Sequence, residues 1–300
     1  HTARRTVDRI LFRNERAIGV QLVDGLQLFA SKQVILCAGS IATPAILMRS
    51  GIGPRDRLRD AGGQAWLDAP GVGQNLQDHL VMPVIFATAA SSRFDLNVTP
   101  GELARFDYLG RGPLSSNIAE AGGLFNHDEI QIHVTPTHYL RFPHPEAASA
   151  MTIAVNATKP RSRGEVTIGS LQASDPPQID PNYLADPRDL ETTLAGVELA
   201  RSIARESPLR DWLGAELLPG SKRASDRAIG KAIARYAQTL YHPVGTCGLG
   251  EVVDANLAVI GTERLSVVDA SVFPELTRGN PNAMVLTLAA LFANQLAASL

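Results

Sequence analysis

The alternation of apolar and polar residues is clearest at the start of the chain. Residues 7–12 alternate with period two, residues 13–16 are polar and turn-like, and residues 17–23 alternate again, which predicts two strands joined by a tight turn. A third apolar run at residues 32–37 leads into Ala38-Gly39-Ser40 and then into a segment with helical spacing, residues 41–50. Thr43 is expected to cap that helix and Pro44 to sit in its first turn, where a missing N–H costs little. Strand, glycine turn and helix make one α/β unit. Residues 51–73 are punctuated by Gly, Pro and Asp and read as loop around a short helix.

From about residue 80 the texture changes. Short β-like runs at 81–88, 130–136 and 151–157 are separated by turn residues, the pattern of an antiparallel sheet in a second domain. Pro176-Pro177 and Asp186-Pro187 mark loops, and residues 190–206 and 225–240 have helical spacing. The apolar stretch 283–300 is short and broken by Asn294 and Gln295, so it predicts a buried or amphipathic helix and no membrane span.

Composition narrows the function classes. With 45% hydrophobic residues the 300-residue chain can bury a large core, in one domain or two. A net charge of −2 and scattered basic residues point away from nucleic acid or an anionic membrane as partner. The two cysteines, Cys37 and Cys247, are too few for a disulfide framework and fit a reducing, cytoplasmic compartment. No metal site is expected. The sequence opens at His1 without an initiator methionine or a signal-peptide pattern, so a start inside a longer reading frame, or after processing, is expected.

The run from Gly39 to Gly53, GSIATPAILMRSGIG, is physically a glycine turn into a packed helix. Position for position it resembles the second signature of the glucose–methanol–choline oxidoreductases. Gly71 to His79, GVGQNLQDH, is similar to the segment of that family that passes close to the flavin, although His79 taken alone is an ordinary histidine. GPLSSN from Gly112, RSRGEV from Arg161 and IDPNY from Ile179 extend the resemblance along the chain and look architectural. Near the end, YHPVGTC from Tyr241 resembles the family's histidine motif, and GNPNA from Gly279 its partner motif.

The resemblance implies FAD as cofactor and a small-molecule alcohol as substrate, with the electron acceptor left open. His242 would be the base that takes the hydroxyl proton, since a histidine titrates near neutrality, and Asn280 would hold the substrate oxygen. Asn282, opening the last helix, would face the flavin at a helix end carrying partial positive charge, though both asparagines could instead merely cap that helix. Asn75, Ala38, Gly39, Asp269 and Ala270 are the further cofactor contacts implied, with Val7 reaching the adenine through its backbone. The implied fold class is α/β plus α+β. A partial FAD-binding domain (residues 1–79 and 240–300) would flank an antiparallel-sheet substrate domain (residues 80–239).

Two departures qualify this. No G-x-G-x-x-G run, the family's diphosphate anchor, occurs in these residues, so an amino-terminal segment carrying it is expected elsewhere. Leu249 and Ser266 stand where methionine and arginine are common. Besides an alcohol oxidoreductase, two readings remain open: a fragment or half of a split protein without activity of its own, and a cyanohydrin lyase on the same fold.

Overall fold

The computed structural model describes residues 4–88, 99–119, 121–141 and 150–298. It divides into one unit formed by residues 1–78, 160–185 and 241–300 and another formed by residues 79–159 and 186–240. The first unit opens with β1, Val7–Arg13, and β2, Arg16–Leu22, paired antiparallel around a turn where Asn14 takes a φ of 53°. The alternation that predicted them buries Ile10, Ala17 and Leu22. A third strand, β3 (Gln27–Phe29), pairs with β2; its three residues, with Phe29 exposed, are too short a run to stand out from sequence.

Strand β4, Val34–Leu36, lies parallel to β15, Leu265–Val267, so the two ends of the chain meet in one ladder. Helix α1, Gly39–Arg49, follows. It starts earlier than expected, and Thr43 does not cap it, because Gly39 at φ 79° turns the chain directly into the helix from Ala38. Pro44 is therefore inside the helix, where it cannot donate to the carbonyl of Ser40. The Thr246 hydroxyl donates to that carbonyl instead, at 2.7 Å. Beyond α1 come β5 (Ile52–Gly53), α2 (Arg55–Asp60) and β6 (Leu67–Asp68). Leu47, Met48, Ile52, Leu58 and Leu265 are fully enclosed in this unit's core, each such side chain contributing roughly 1.5–3 kcal/mol of burial.

Residues 160–185 differ from the expectation that placed them in the sheet domain. They carry β11 (Glu165–Thr167) and β12 (Gln178–Asp180), and they join the first unit through reciprocal backbone bonds between Gly164 and Leu76, both 2.9 Å, and from Val166 N–H to Gly73 C=O at 2.7 Å. A β-carbon on Gly73 would lie 2.1 Å from the Val166 carbonyl oxygen, so this contact requires glycine there. Glu165 completes the join, accepting from Arg57 at 2.8 Å and from Gln74 at 3.0 Å.

The second unit is built on a six-stranded antiparallel sheet. Its strands are β7 (Leu80–Thr88), β8 (Ala121–Phe125), β9 (Ile130–Thr135), β10 (Ala150–Ala157), β13 (Leu213–Leu218) and β14 (Gln238–Thr239). The path runs β13-β7-β10-β9-β8, with β14 also on β7. Helix α4, Pro187–Arg205, is capped by Asp186 and lies on one face, with Gly196 against Val155. Beside it are α5 (Leu209–Trp212) and α6 (Asp226–Tyr236, capped by Ser225), and the unit also carries α3 (Pro100–Leu109, with a Thr99–Glu102 capping box). Helix α6 ends before residue 240 because the chain turns into β14.

The last helix, α7 (Asn282–Ala298), corrects a further expectation. It is neither buried nor one-sided: none of its described residues is buried, and Met284, Leu286 and Leu291 are 50–63% exposed. It is apolar around its circumference, and only Leu288 and Phe292, one turn apart, pack on the core of its unit. Residues 299–300 lie outside the described residues. No helix among the described residues is long and apolar enough to cross a membrane.

Candidate active site

The site is assembled in the first unit around the extended segment 242–249. One side of this segment bonds to residues 73–77: Val244 and Gln77 exchange backbone bonds of 2.9 and 3.1 Å, and Gly73 N–H donates to Thr246 C=O at 2.8 Å. Its other side bonds to the turn 270–272, with Cys247 N–H to Ser271 C=O at 2.8 Å and Gly245 N–H to Ala270 C=O at 3.3 Å. Ala270 thus serves through its backbone. Gly245, at φ 99°, leaves room for Asn75; a β-carbon there would lie 2.3 Å from the Asn75 carbonyl oxygen.

Asn75 itself takes a φ of 61°, a conformation asparagine tolerates better than most residues. Its amide donates to Pro274 C=O at 3.1 Å, and Gln77 reaches the same carbonyl at 3.0 Å while accepting from Leu276 N–H at 3.1 Å. Asn75 and Gln77 together pin the segment that leads toward Asn280.

His242 is half-buried, and its backbone N–H donates to Asp78 Oδ1 at 2.9 Å. The other oxygen of Asp78 accepts from the Tyr183 hydroxyl. Asp78 is buried, so its two oxygens need such donors. Asn280 Nδ2 lies 3.2 Å from His242 Nε2. An amide nitrogen only donates, so a bond through these two atoms uses the Nε2 lone pair and goes with the ring tautomer that carries its proton on Nδ1. Asn280 is exposed, and its backbone is steadied by the Thr277 hydroxyl, which donates to Gly279 C=O at 2.6 Å.

Two residues on, α7 begins at Asn282. Asn282 is the first helical residue, its side chain is exposed, and it makes no hydrogen bond among the described residues, so it does not cap the helix. The first turn of a helix offers N–H donors and partial positive charge, and here the Asn282 amide stands beside them.

Asp269 ties the first βα turn to the return strand. Its carboxylate, buried at 5% exposure, accepts from Gly39 N–H (2.9 Å), the Thr43 hydroxyl (2.6 Å), Ser271 N–H (2.8 Å) and the Ser271 hydroxyl (2.5 Å). A cofactor contact through this carboxylate therefore has little capacity left. Ala38 N–H is turned inward to Thr43 Oγ1 at 3.2 Å. The space where a side chain of Gly39 would start is open, with no atom within 4 Å. Val7 lies on β1, the edge strand of its sheet, so the outer side of that backbone is unpaired within the sheet. Burial raises the Cys37 thiol above its ordinary pKa, with Asp269 adding to the effect, and raises the fully buried Cys247 much further.

Residues 2–81 and 160–289 match two family models, both described as GMC oxidoreductase. The chain belongs to this family. Among curated GMC relatives, the alcohol dehydrogenase [acceptor] of Pseudomonas putida is 35% identical over 94% of this chain and 55% of its own length. Among solved structures, pyridoxine 4-oxidase from Mesorbium loti superimposes with a TM-score of 0.83 at 34% identity, over 96% of this chain and 56% of that one. Aspergillus oryzae RIB40 formate oxidase, studied for modification of its FAD, gives a TM-score of 0.91 at 25% identity, covering 98% and 60%. The chain thus spans about half the length of the curated relatives it matches.

Within this GMC site, the structure brings together His242 and Asn280, and it places Asn75, Ala270 and Asp269 in the scaffold behind them. Val7 contributes no side chain to that cluster. Sequence reasoning gave Thr43 only a capping role and passed over Asp78, Tyr183, Thr246 and Ser271. Asp78 and Tyr183 stand inside runs already singled out, and a rule that every buried carboxylate needs donors would have marked Asp78.

The residues present suit one end of a flavin nucleotide: an unpartnered Asn282 amide at a helix amino terminus, and open space at Gly39. The diphosphate end has no glycine-rich run among these 300 residues.

Proposed function

We propose that this chain carries the proton-handling site, and part of the FAD site, of an oxidoreductase that converts a primary alcohol to an aldehyde. The observation that supports this reading is the 3.2 Å approach of Asn280 to a half-buried His242. When bound, FAD supplies the hydride-accepting ring, with Asn282 and the start of α7 as the residues that would meet it. The other tasks fall to the chain. The Nε2 lone pair of His242 accepts the proton of the substrate hydroxyl, and the Asn280 amide, 3.2 Å from that nitrogen, donates to the substrate oxygen and orients it. Asp78, bridged to Tyr183, holds the His242 backbone so that the ring stays in place.

The test is made in the FAD-loaded holoenzyme without oxygen. Adding a primary alcohol should bleach the flavin's visible absorbance, and His242→Asn should slow that bleaching by about 10²–10⁴ while leaving the bound-flavin spectrum unchanged. Bleaching at the parental rate in the variant would refute the role of His242. Release of cyanide from a cyanohydrin without any bleaching would favour lyase chemistry.

A further inference from the structure

A cleft of about 240 Å³ lies in the sheet unit, between the end of α4, the short α5 and strands β7 and β13. It opens on the face of the sheet that α4 covers, and it shares no residue with the reaction proposed above. Three arginines line it, Arg201, Arg205 and Arg210, against one carboxylate, Glu216.

That carboxylate is already satisfied. Arg201, its side chain 10% exposed, grips Glu216 through Nε at 3.0 Å and Nη2 at 2.9 Å, and Gly220 N–H adds a third donor at 3.0 Å. Arg201 also pairs with Glu198 through Nη1 at 2.7 Å, so its guanidinium is fully engaged by two carboxylates and is not open to a ligand. Arg205, one helical turn beyond Arg201, makes no hydrogen bond or ion pair among the described residues. Arg210 has only an exposed 3.5 Å pairing with Asp211, which solvent screens. At the rim of the cleft stand two exposed guanidinium groups, Arg205 and Arg210, that Glu216 does not pair. Its remaining lining is Gly214 and the apolar side chains of Phe86, Ala204 and Leu213.

We propose that this cleft binds a small organic anion: a carboxylate with a short apolar body, its head between Arg205 and Arg210 and its body on Phe86, Ala204 and Leu213. The apolar lining disfavours a bare inorganic ion, and the volume is below the usual range for nucleotide-sized ligands. A cation would find no open acceptor, because Glu216 is occupied.

Tryptophan fluorescence reads the cleft locally. The chain has two tryptophans, and in a Trp66→Phe background Trp212, which sits between the lining residues Arg210 and Leu213, is the sole reporter. The probes are hexanoate, its neutral analogue hexanamide, and inorganic phosphate. Hexanoate should shift the emission saturably, and hexanamide should bind at least tenfold more weakly. Arg205→Gln and Arg210→Gln should each weaken hexanoate roughly tenfold, whereas Arg227→Gln, which removes the same charge elsewhere on this unit, should not. Neither of the two cleft variants removes a bond on which the fold depends, and each tests the site alone. The proposal is overturned if hexanoate gives no saturable change, if hexanamide or phosphate binds as well, or if both cleft variants bind like the parent. The readout needs neither FAD nor turnover, so it stands apart from the test of alcohol oxidation.

Discussion

The Thr43 hydroxyl donates to Asp269 Oδ2 at 2.6 Å, joining two residues that are 226 positions apart. This bond holds the helix that follows the first βα turn against the strand returning from the far end of the chain. The same carboxylate holds Gly39 and both donors of Ser271, so the turn at Ala38-Gly39 and the turn at Ala270 are set by one side chain.

Removing that side chain leaves three buried donors and the part-buried Gly39 N–H without their acceptor. Asp269→Ala is expected to cost about 3 kcal/mol or more, and Thr43→Val, which removes one donor to that carboxylate and the acceptor of Ala38 N–H, about 1–2 kcal/mol. Urea unfolding of the two variants checks the order. A Thr43→Val cost equal to that of Asp269→Ala would show that the hub does not act as described.

Gly245 tests the backbone geometry behind His242. Alanine there meets both a φ of 99° and an Asn75 carbonyl oxygen 2.3 Å from its β-carbon. The expected loss is at least about 2 kcal/mol. Gly250→Ala shares the positive φ, 86°, but has no atom within 4 Å of the new β-carbon, and should cost less. Thermal melts that rank the two in the opposite order would remove the steric argument.

Acid should destabilise the sheet unit through its histidines. Burial lowers the pKa of His133 and of His138 below the ordinary 6.5, with Arg141 adding to the effect at His138. As pH falls through the unfolded value, the unfolded chain takes up protons first, so stability is fully present above about 6.5 and is lost below it. Urea midpoints at about pH 7.5 and about pH 5.5 should show the drop, and His133→Gln should shrink it. A larger drop in the variant would exclude His133 as a source.

The two thiols should differ in reactivity. Cys37 is exposed yet its pKa is raised, so at neutral pH it should alkylate more slowly than an unperturbed cysteine. Cys247, fully buried, should alkylate only once the chain unfolds. Mass spectrometry after iodoacetamide treatment, with and without urea, counts the labels. Two labels on the folded chain would contradict the burial of Cys247.

Short-range pattern made much of this protein legible. Period-two alternation marked β1 and β2 because each strand buries one face, and the motifs around His242 and Asn280 marked the pair that the structure places 3.2 Å apart.

What the sequence could not reveal lies in contacts between distant segments. That Thr246 supplies the donor Pro44 lacks, that Tyr183 backs Asp78, and that residues 160–185 belong with the first unit all depend on which segments meet. The burial of α7 was misjudged for the same reason. Apolar composition sets a preference for leaving water, whereas the partners that cover a helix come from other segments, and among the described residues of α7 only Leu288 and Phe292 pack on the core of this unit. By itself, then, the sequence determined local elements and singled out His242 and Asn280, the pair that the structure brings together. The tertiary structure decided what holds that pair in place, because the supporting hydrogen bonds join residues as far as 230 positions apart, and no local periodicity encodes them.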